Sequence, residues 1–201
     1  MACEQIRQLG TGQLKTIRLN NTGVKGWKTW LADYQFEPEQ PDDGYIWLTC
    51  LLALKAVSLG NFGIGCILVD TDGNLVAWGH NEVFNPYFRS DRHAEMVVMD
   101  NFEDTCRGIT GRENYTLYTS LESCPMCLAR LINSGIKTVL HAAPDPDGGM
   151  VHKMNDLPPT WIDLAKPHLY LQATCSPILI NAAAQIFLLN ANKLNKKLKN
   201  H

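Results

Sequence analysis

The segment LESCPMCLAR, residues 121–130, constrains this chain more than any other stretch. Cys124 and Cys127 are three positions apart, and Pro125 directly follows the first of them. Proline favours the first position of a helix, because the N–H group that it lacks has no partner there. The pattern predicts a helix that begins at Pro125, with Cys124 at its N-cap and Cys127 one turn later. Two sulfurs on one side of a helix N-terminus indicate a metal site rather than a disulfide.

The composition is that of one globular domain with enough apolar residues for a sizeable core, since 45% of the 201 residues are hydrophobic and 19% are charged. The net charge of −2 gives no strongly basic surface, which argues against a nucleic-acid partner. No run approaches the roughly 18 apolar residues of a membrane span, and the first residues lack a signal-peptide pattern, so we expect a cytoplasmic protein with no membrane partner. The remaining cysteines are expected to be free thiols, mostly buried: Cys3, Cys50, Cys66, Cys106 and Cys175.

The order of predicted elements favours an α/β fold. Apolar residues recur at helical spacing from Tyr45 to Leu59, and the runs GIGCILVD and NLVAWGH then predict an antiparallel hairpin. Helices predicted to begin at HAE and CPMC alternate with the strand-like runs NYTLYTS, KTVLHAA and HLYLQAT. A long loop lies between the last two runs, and one final helix is predicted from Ser176 to Lys199. This order predicts a three-layer α/β/α sandwich with a mixed five-stranded sheet.

His93 is the best candidate for a third metal ligand, because it opens a predicted helix just as Cys124 does. A His/Cys/Cys set leaves the fourth position of a zinc ion open for water, as in catalytic rather than structural sites. Glu95 lies roughly 200° around the helix from His93, so it is not a ligand on the same face. From the first turn it can still reach over the metal as a proton carrier. We expect the other histidines to be structural, and His201 to be solvated.

At HAE and CPMC the sequence resembles the zinc-dependent cytidine deaminase superfamily, whose signature is H-x-E followed by P-C-x-x-C. The resemblance covers roughly residues 44–175 and implies that His93, Cys124 and Cys127 bind one zinc ion per chain, with Glu95 as proton shuttle. It also matches Asn81, in WGHNEV, to the asparagine that holds the base. The alternative interpretation of Asn81 is a turn residue after a strand.

Within the superfamily, LYTSLESCPMCLA and TVLHAAPD are most similar to guanine deaminases, and next to tRNA adenosine deaminases. The resemblance implies hydrolytic deamination of a small nucleobase, most of all guanine to xanthine, and a homodimer. Backbone N–H groups near Leu121 and Glu122 are expected to line the pocket. An acidic residue after the fourth strand would hold the purine, with Asp145, Asp147 and Asp156 as candidates. Alternatives are deamination of cytosine, a nucleoside, an aminotriazine or tRNA adenosine, and a closed zinc module without catalysis.

Three features depart from the family pattern. Ser123 stands where relatives usually have proline, which loosens the turn before the zinc helix but removes no ligand. Arg89 and Arg92 stand near His93 where relatives place small residues, and they are either contacts for an anionic substrate or solvated side chains. Residues 1–43 are predicted to be an N-terminal extension, either packed through its tryptophans or only partly ordered, and residues 44–201 to be the catalytic domain.

Overall fold

The computed structural model describes residues 2–200, with side chains from residue 4 onward, so the predictions for the Cys3 thiol and for His201 lie outside the described residues. The helices are α1 (Ala2–Thr16), α2 (Thr22–Asp33), α3 (Asp43–Ser58), α4 (Ala94–Thr105), α5 (Pro125–Ser134), α6 (Pro159–Ala165), α7 (Pro177–Leu188) and α8 (Ala191–Leu198). The strands are β1 (Gly65–Val69), β2 (Leu75–His80), β3 (Thr116–Leu121), β4 (Thr138–Ala143) and β5 (Leu169–Gln172), and short 3₁₀ helices cover Arg112–Asn114 and Val151–Asp156.

The five strands form one mixed sheet in the order β2-β1-β3-β4-β5. Strand β1 pairs antiparallel with β2 and with β3, whereas β3, β4 and β5 run parallel. The predicted hairpin and the predicted mixed five-stranded sheet are therefore confirmed. The parallel strands are joined through α5 and α6, and this connectivity places the ends of β3 and β4 at the same edge of the sheet.

Helices cover both faces of this sheet. Side chains alternate along β1, so that Ile67 and Val69 enter the core shared with α1, α2, α3 and α7. Cys66 and Leu68 point to the opposite face, into the core shared with α4, α5 and α6. The three predicted layers are present. Helix α3 is buried along most of its length, because the sheet lies on one side of it and other helices surround the rest.

The predicted N-terminal extension contributes two helices to the first of these cores. The buried side chains of α1, the following loop and α2 lie in the same cluster as Trp47, namely Ile6, Ile17, Val24 and Leu31, with Trp27 and Trp30 partly buried against it. Helix α1 passes so close to α3 at Gly10 that a Cβ there would collide with the Trp47 ring. The proposed boundary between residues 43 and 44 falls at the start of α3 and stays a prediction.

Two neighbouring buried aspartates, Asp42 and Asp43, tie this N-terminal part to the far end of the fold. Their carboxylates accept hydrogen bonds from the hydroxyls of Tyr34 and Tyr118 and from the backbone N–H groups of Glu37, Thr174 and Ser176. Buried carboxylates are stable only when such donors replace water. The cluster therefore joins the segment before α3, strand β3 and the start of α7.

The C-terminal third differs from the prediction in two places. The long loop after β4 is not irregular throughout, since it contains a 3₁₀ helix and α6. The single predicted final helix is broken into α7 and α8 near Asn190, whose side-chain amide donates a hydrogen bond to the backbone carbonyl of Asn61. The break allows Leu194 of α8 to pack on Phe62 and Phe84. No helix among the described residues is long and apolar enough to cross a membrane.

Candidate metal centre and its cavity

Both predicted metal-binding motifs lie at helix N-termini. His93 is the N-cap of α4 and Cys124 is the N-cap of α5, each with extended backbone, and Pro125 is the first residue of α5. The predicted start of α5 at Pro125 is confirmed, and α4 begins directly after His93, at the predicted helix N-terminus. The unpaired N–H groups at a helix N-terminus carry partial positive charge, which stabilises a nearby thiolate. Two such termini converge on one point here.

The side chains of His93, Cys124 and Cys127 meet at that point. Their ligand atoms all lie within 4.8 Å of one another, and the Sγ atom of Cys124 is 3.5 Å from Nδ1 of His93. One imidazole nitrogen and two thiol sulfurs form a donor set that zinc accepts, with a fourth position left for water or substrate. Cys127 is buried and the other two are half-buried. These residues fit a zinc ion.

The ionisation of the two sulfurs is coupled. A hydrogen bond from Cys127, together with His93, lowers the pKa of Cys124 to about 4. The same hydrogen bond and burial raise the pKa of Cys127 well above its usual range. Cys124 is therefore a thiolate at neutral pH, in the form that binds metal.

Ion pairs hold α4 and α5 together behind the ligands. Arg130 on α5 lies 2.6 Å from the carboxylate of Asp100 and 2.8 Å from that of Glu103, both on α4. Asp100 also contacts Arg92, 2.7 Å away and adjacent to His93. Because these side chains are partly buried and joined into a network, they fix the spacing of the two helices better than isolated surface pairs would.

The arginines that precede His93 do not face the candidate site. Arg92 is engaged by Asp100 and also by Glu82, at 2.8 Å. Arg89 is exposed and pairs with Asp91 at 2.6 Å. Neither arginine is among the residues that line the cavity beside the metal cluster. Arg92 instead supports the backbone that presents His93.

Glu95 lies in the first turn of α4 with only 3% of its surface exposed. Its Oε1 atom accepts a hydrogen bond of 2.9 Å from the hydroxyl of Ser123. Burial raises the pKa of Glu95, and the negative charge of Cys124 raises it further. A carboxyl group whose pKa is moved toward neutrality can both take up and release a proton, which is what a proton carrier requires.

A cavity of about 160 Å³ adjoins the cluster, a volume equal to that of a few water molecules. Its lining includes His93, Glu95 and Cys124 together with Asn81 and Asp145. The structure thus brings five of the sequence-predicted site residues to one cavity, with Cys127 at the adjoining metal cluster. The other two predicted residues, Asp147 and Asp156, are exposed and do not line it.

Asn81 is fully buried at the end of β2 and uses only part of its side chain for the fold. Its Oδ1 atom accepts a hydrogen bond of 3.1 Å from the backbone N–H of Val83, as the turn interpretation predicts. Its Nδ2 atom has no hydrogen-bond partner among the described residues. A buried donor without a partner costs about 1–3 kcal/mol. The free amide donor on a cavity wall indicates an acceptor atom on a ligand, so the turn role and the binding role use different atoms.

Sequence reasoning missed the part played by Glu122. Its side chain is 4% exposed and accepts hydrogen bonds from the backbone N–H groups of Asp145 and His152, at 3.0 and 2.9 Å, while the His152 ring lies 2.8 Å away. Burial raises the pKa of Glu122, but these donors outweigh it and lower the pKa overall. The backbone N–H of Glu122, expected to line the pocket, donates instead to Ala143. One sequence signal could have revealed the role of the Glu122 side chain: Glu122 is a charged residue between a buried strand and a metal ligand.

The C-terminal helices form the apolar part of the cavity wall. Phe187 of α7 and Leu198 of α8 line the cavity with Phe62, and Asn195 of α8 adds one polar group. The prediction of a single final helix gave no reason to expect this contact. The cavity therefore has one polar region with the metal cluster and one apolar region suited to a planar ring.

The family model for the cytidine and deoxycytidylate deaminase zinc-binding region matches residues 40–143, just over half of the chain. The chain belongs to this family. The predicted superfamily and the zinc cofactor are thereby confirmed, and the matched region contains His93, Glu95, Cys124 and Cys127.

Named relatives of this deaminase-family chain differ in substrate. A tRNA-specific adenosine deaminase of Bacillus subtilis is 40% identical over 99 residues, which cover 48% of the chain and 58% of the relative. The chain thus spans less than two thirds of that protein. A solved structure from studies of tRNA:A34 deaminases matches with a TM-score of 0.57 at 25% identity. The match covers 69% of this chain and 94% of the chain in that structure. The structure of guanine deaminase from Nitrosomonas europaea matches with a TM-score of 0.55 at 19% identity. The match covers 79% of this chain and 88% of the guanine deaminase chain, which shows a shared fold.

Proposed function

We propose that this protein is a zinc-dependent aminohydrolase that deaminates a small nucleobase, with guanine as the preferred substrate and xanthine and ammonia as products. One observation carries the proposal. A single cavity is lined by His93 and Cys124 of the metal cluster and by Glu95, Asn81 and Asp145, with a free amide donor on Asn81. Hydrolytic deamination of a ring needs a metal, a proton carrier and groups that hold the ring.

His93, Cys124 and Cys127 would hold the zinc ion, which when bound supplies a Lewis acid that activates a water molecule. Glu95 accepts one proton from the attacking water and transfers it to the ring nitrogen beside the amino-bearing carbon. It then passes the second proton of that water to the amino group, which leaves as ammonia. The base gains a carbonyl oxygen and loses its amino group, and Glu95 ends in its starting state.

Recognition of guanine follows from the two remaining polar groups. Asn81 can donate its Nδ2–H to an acceptor atom of the ring, and guanine carries acceptors at O6 and N7. Asp145 can accept hydrogen bonds from the N–H groups of the purine. A site that matches a donor edge can reject bases that lack it by as much as about 10⁴-fold. Phe62 and Phe187 provide apolar contacts for the ring.

Deamination of adenosine in tRNA is the second candidate, and two observations favour it. The relatives above include tRNA deaminases, and helix α8, which lines the cavity, carries Lys193, Lys196 and Lys197. Phosphate binding depends on such cations. We place guanine first because Phe187 and Leu198 give the cavity an apolar wall and the net charge of the chain is −2.

Measuring ammonia release from a panel of substrates tests whether guanine or adenosine in RNA is the preferred substrate. Zinc-loaded protein is assayed with guanine, guanosine, cytosine, adenine and an RNA hairpin that presents adenosine in its loop, and Glu95→Gln serves as the control for contaminating activity. We expect the highest kcat/KM with guanine. A higher value with the hairpin, lost when Lys193, Lys196 and Lys197 are replaced by Gln, would establish the second candidate instead.

Substitution of the three acidic candidates tests the recognition of guanine. We expect Asp145→Asn to lower kcat/KM for guanine selectively, because only Asp145 among them lines the cavity. Asp147→Asn and Asp156→Asn should change the rate less than about 2-fold, since their side chains are exposed. An equal effect of all three would mean that Asp145 does not contact the base.

Metal analysis tests the ligand assignment. We expect about one zinc ion per chain in the purified protein and none in Cys124→Ala/Cys127→Ala. Cys175→Ala is the matched control, because Cys175 is a buried free thiol outside the cluster, and it should retain zinc. Zinc retained by the double variant would contradict the assignment. The homodimer implied by the resemblance stays a prediction, which light scattering of the purified protein would check.

A further inference from the structure

Ser123 is a buried residue, 1% exposed, between Glu122 and Cys124. Its hydroxyl oxygen lies 2.9 Å from Oε1 of Glu95, and its backbone carbonyl accepts a hydrogen bond of 2.9 Å from Met150. The main chain of Ser123 is thus fixed by the loop after β4, while its side chain reaches across to α4. Among the described residues the hydroxyl makes no other hydrogen bond.

We propose that Ser123 is a positioning residue that holds the carboxyl group of Glu95 in one orientation beside the metal cluster. The inference rests on the proposed role of Glu95 as proton carrier. Ser123 does not exchange protons with the substrate. It restrains one carboxyl oxygen, Oε1, so that the other oxygen keeps a constant direction toward the reacting groups.

The chemistry of a hydroxyl group suits this role. A serine hydroxyl can rotate, and it offers one donor hydrogen and two acceptor lone pairs. It can donate to the Glu95 carboxylate and, after rotation, accept from the Glu95 carboxylic acid. A backbone N–H group could serve only the ionised form.

The buried serine Ser134 shows what a purely structural hydroxyl does in the same protein. Its oxygen donates to the backbone carbonyl of Leu131 at 2.7 Å and accepts from the backbone N–H of Ile136 at 3.2 Å, which closes the end of α5. Both of its partners are backbone groups, and it lies outside the cavity. The hydroxyl of Ser123, by contrast, is hydrogen-bonded to a single ionisable side chain, that of Glu95.

Three single variants test the proposal with the fastest substrate of the panel above. We expect Ser123→Ala to lower kcat about 10-fold, with KM changed less than about 2-fold and zinc content unchanged. Ser123→Thr keeps the hydroxyl and should restore kcat to within about 3-fold of the wild-type value. Ser134→Ala is the matched control for loss of a buried serine hydroxyl and should leave kcat unchanged. Crystals of zinc-loaded Ser123→Ala should show the Glu95 carboxyl displaced or in two orientations.

Several results would overturn the proposal. Wild-type kcat in Ser123→Ala would do so, as would a Ser123→Thr variant as slow as Ser123→Ala, or loss of zinc from Ser123→Ala. In a double-variant cycle, Ser123→Ala should have no further effect once Glu95 is Gln, and additive losses would contradict the coupling. Failure of the proposed function is distinguishable, because Glu95→Gln itself would then retain turnover.

Discussion

Two glutamates line the same cavity in opposite environments. Glu122 receives hydrogen bonds from two backbone N–H groups and contacts the His152 ring, and its pKa is lowered. Glu95 accepts a hydrogen bond from the Ser123 hydroxyl and lies near the Cys124 thiolate, and its pKa is raised by burial and by that negative charge. The side chains of both are almost fully shielded from solvent.

The difference lies in the donors that surround each carboxyl. Fixed N–H donors stabilise the ionised form, which lowers the pKa of Glu122, and the same hydrogen bonds anchor the loop that carries Asp145. Glu95 has a rotatable hydroxyl as its side-chain partner and a negative charge nearby, and its pKa is raised. Among buried acids beside a cavity, the one with the fewest fixed donors is therefore the better candidate for proton transfer.

The largest expected effect comes from removing the proton carrier. Glu95→Gln should lower kcat by about 10²–10⁴-fold, the usual contribution of general acid–base catalysis, because glutamine keeps the shape but carries no exchangeable acid. Zinc content and Tm should remain close to those of the wild type. Steady-state ammonia release, metal analysis and thermal unfolding measure the three quantities. Turnover within about 3-fold of the wild-type value would show that Glu95 is not the proton carrier.

The same isosteric change at the other glutamate should act on stability. Glu122→Gln replaces a carboxylate oxygen with an NH₂ group opposite the N–H donors of Asp145 and His152, so we expect a loss of about 2–3 kcal/mol in the free energy of unfolding. KM should rise more than kcat falls, because the loop that carries Asp145 loosens. Urea denaturation and kinetics check this. If Glu122→Gln unfolded like the wild type and lost only kcat, the assignment of Glu122 as an anchor would be wrong.

A smaller effect is expected from the amide donor of Asn81. Asn81→Ala should lower kcat/KM about 10-fold without affecting zinc, since a buried hydrogen bond to the ring is lost. The control is Asn61→Ala, because Asn61 is also buried and its Oδ1 accepts hydrogen bonds from the backbone N–H groups of Phe84 and Asn85. That variant should lose stability without the loss in kcat/KM. Equal kinetic losses in both would favour the turn role for Asn81.

The smallest expected effect concerns His141, a buried residue of β4. Burial lowers the pKa of His141, although the charge of Glu122 partly opposes this. Below about pH 6.5 the unfolded chain therefore binds more protons than the folded one, and stability falls as the pH falls. We expect the Tm of the wild type to drop more between about pH 7.5 and pH 5.5 than that of His141→Gln. Parallel slopes would show that His141 does not contribute.

Local signals in the sequence were enough to predict the metal cluster. Pro125 marks a helix start, His93 opens an apolar helical run, and both motifs follow strands or loops, so neighbouring residues determine their geometry. The mixed sheet was predictable for the same reason, since each strand is a short β-type run between turn residues.

The parts that sequence did not predict depend on contacts between distant residues. The sequence around Asp145 does not distinguish it from Asp147 and Asp156, whereas in the structure the backbone N–H of Asp145 is held by the distant carboxylate of Glu122. The contribution of α8 depends on the break near Asn190 and its contact with Asn61. Helix α1 was not predicted because Gly10 has a low helix propensity. In the structure a glycine is needed there, because α1 packs closely on the Trp47 ring.

The aspartate pair at the start of α3, Asp42 and Asp43, affects how cooperatively the chain unfolds. Because Asp42 and Asp43 connect Tyr34 and Glu37 with Thr174 and Ser176, neither end of the fold can open without leaving buried donors unsatisfied. Amide hydrogens in α2, α3 and the start of α7 should then exchange with solvent in one cooperative event rather than fraying separately. A shortened protein that begins at residue 44 would lack Asp42 and Asp43 themselves, together with their partners Tyr34 and Glu37. We therefore expect its Tm to be lower than that of the full chain.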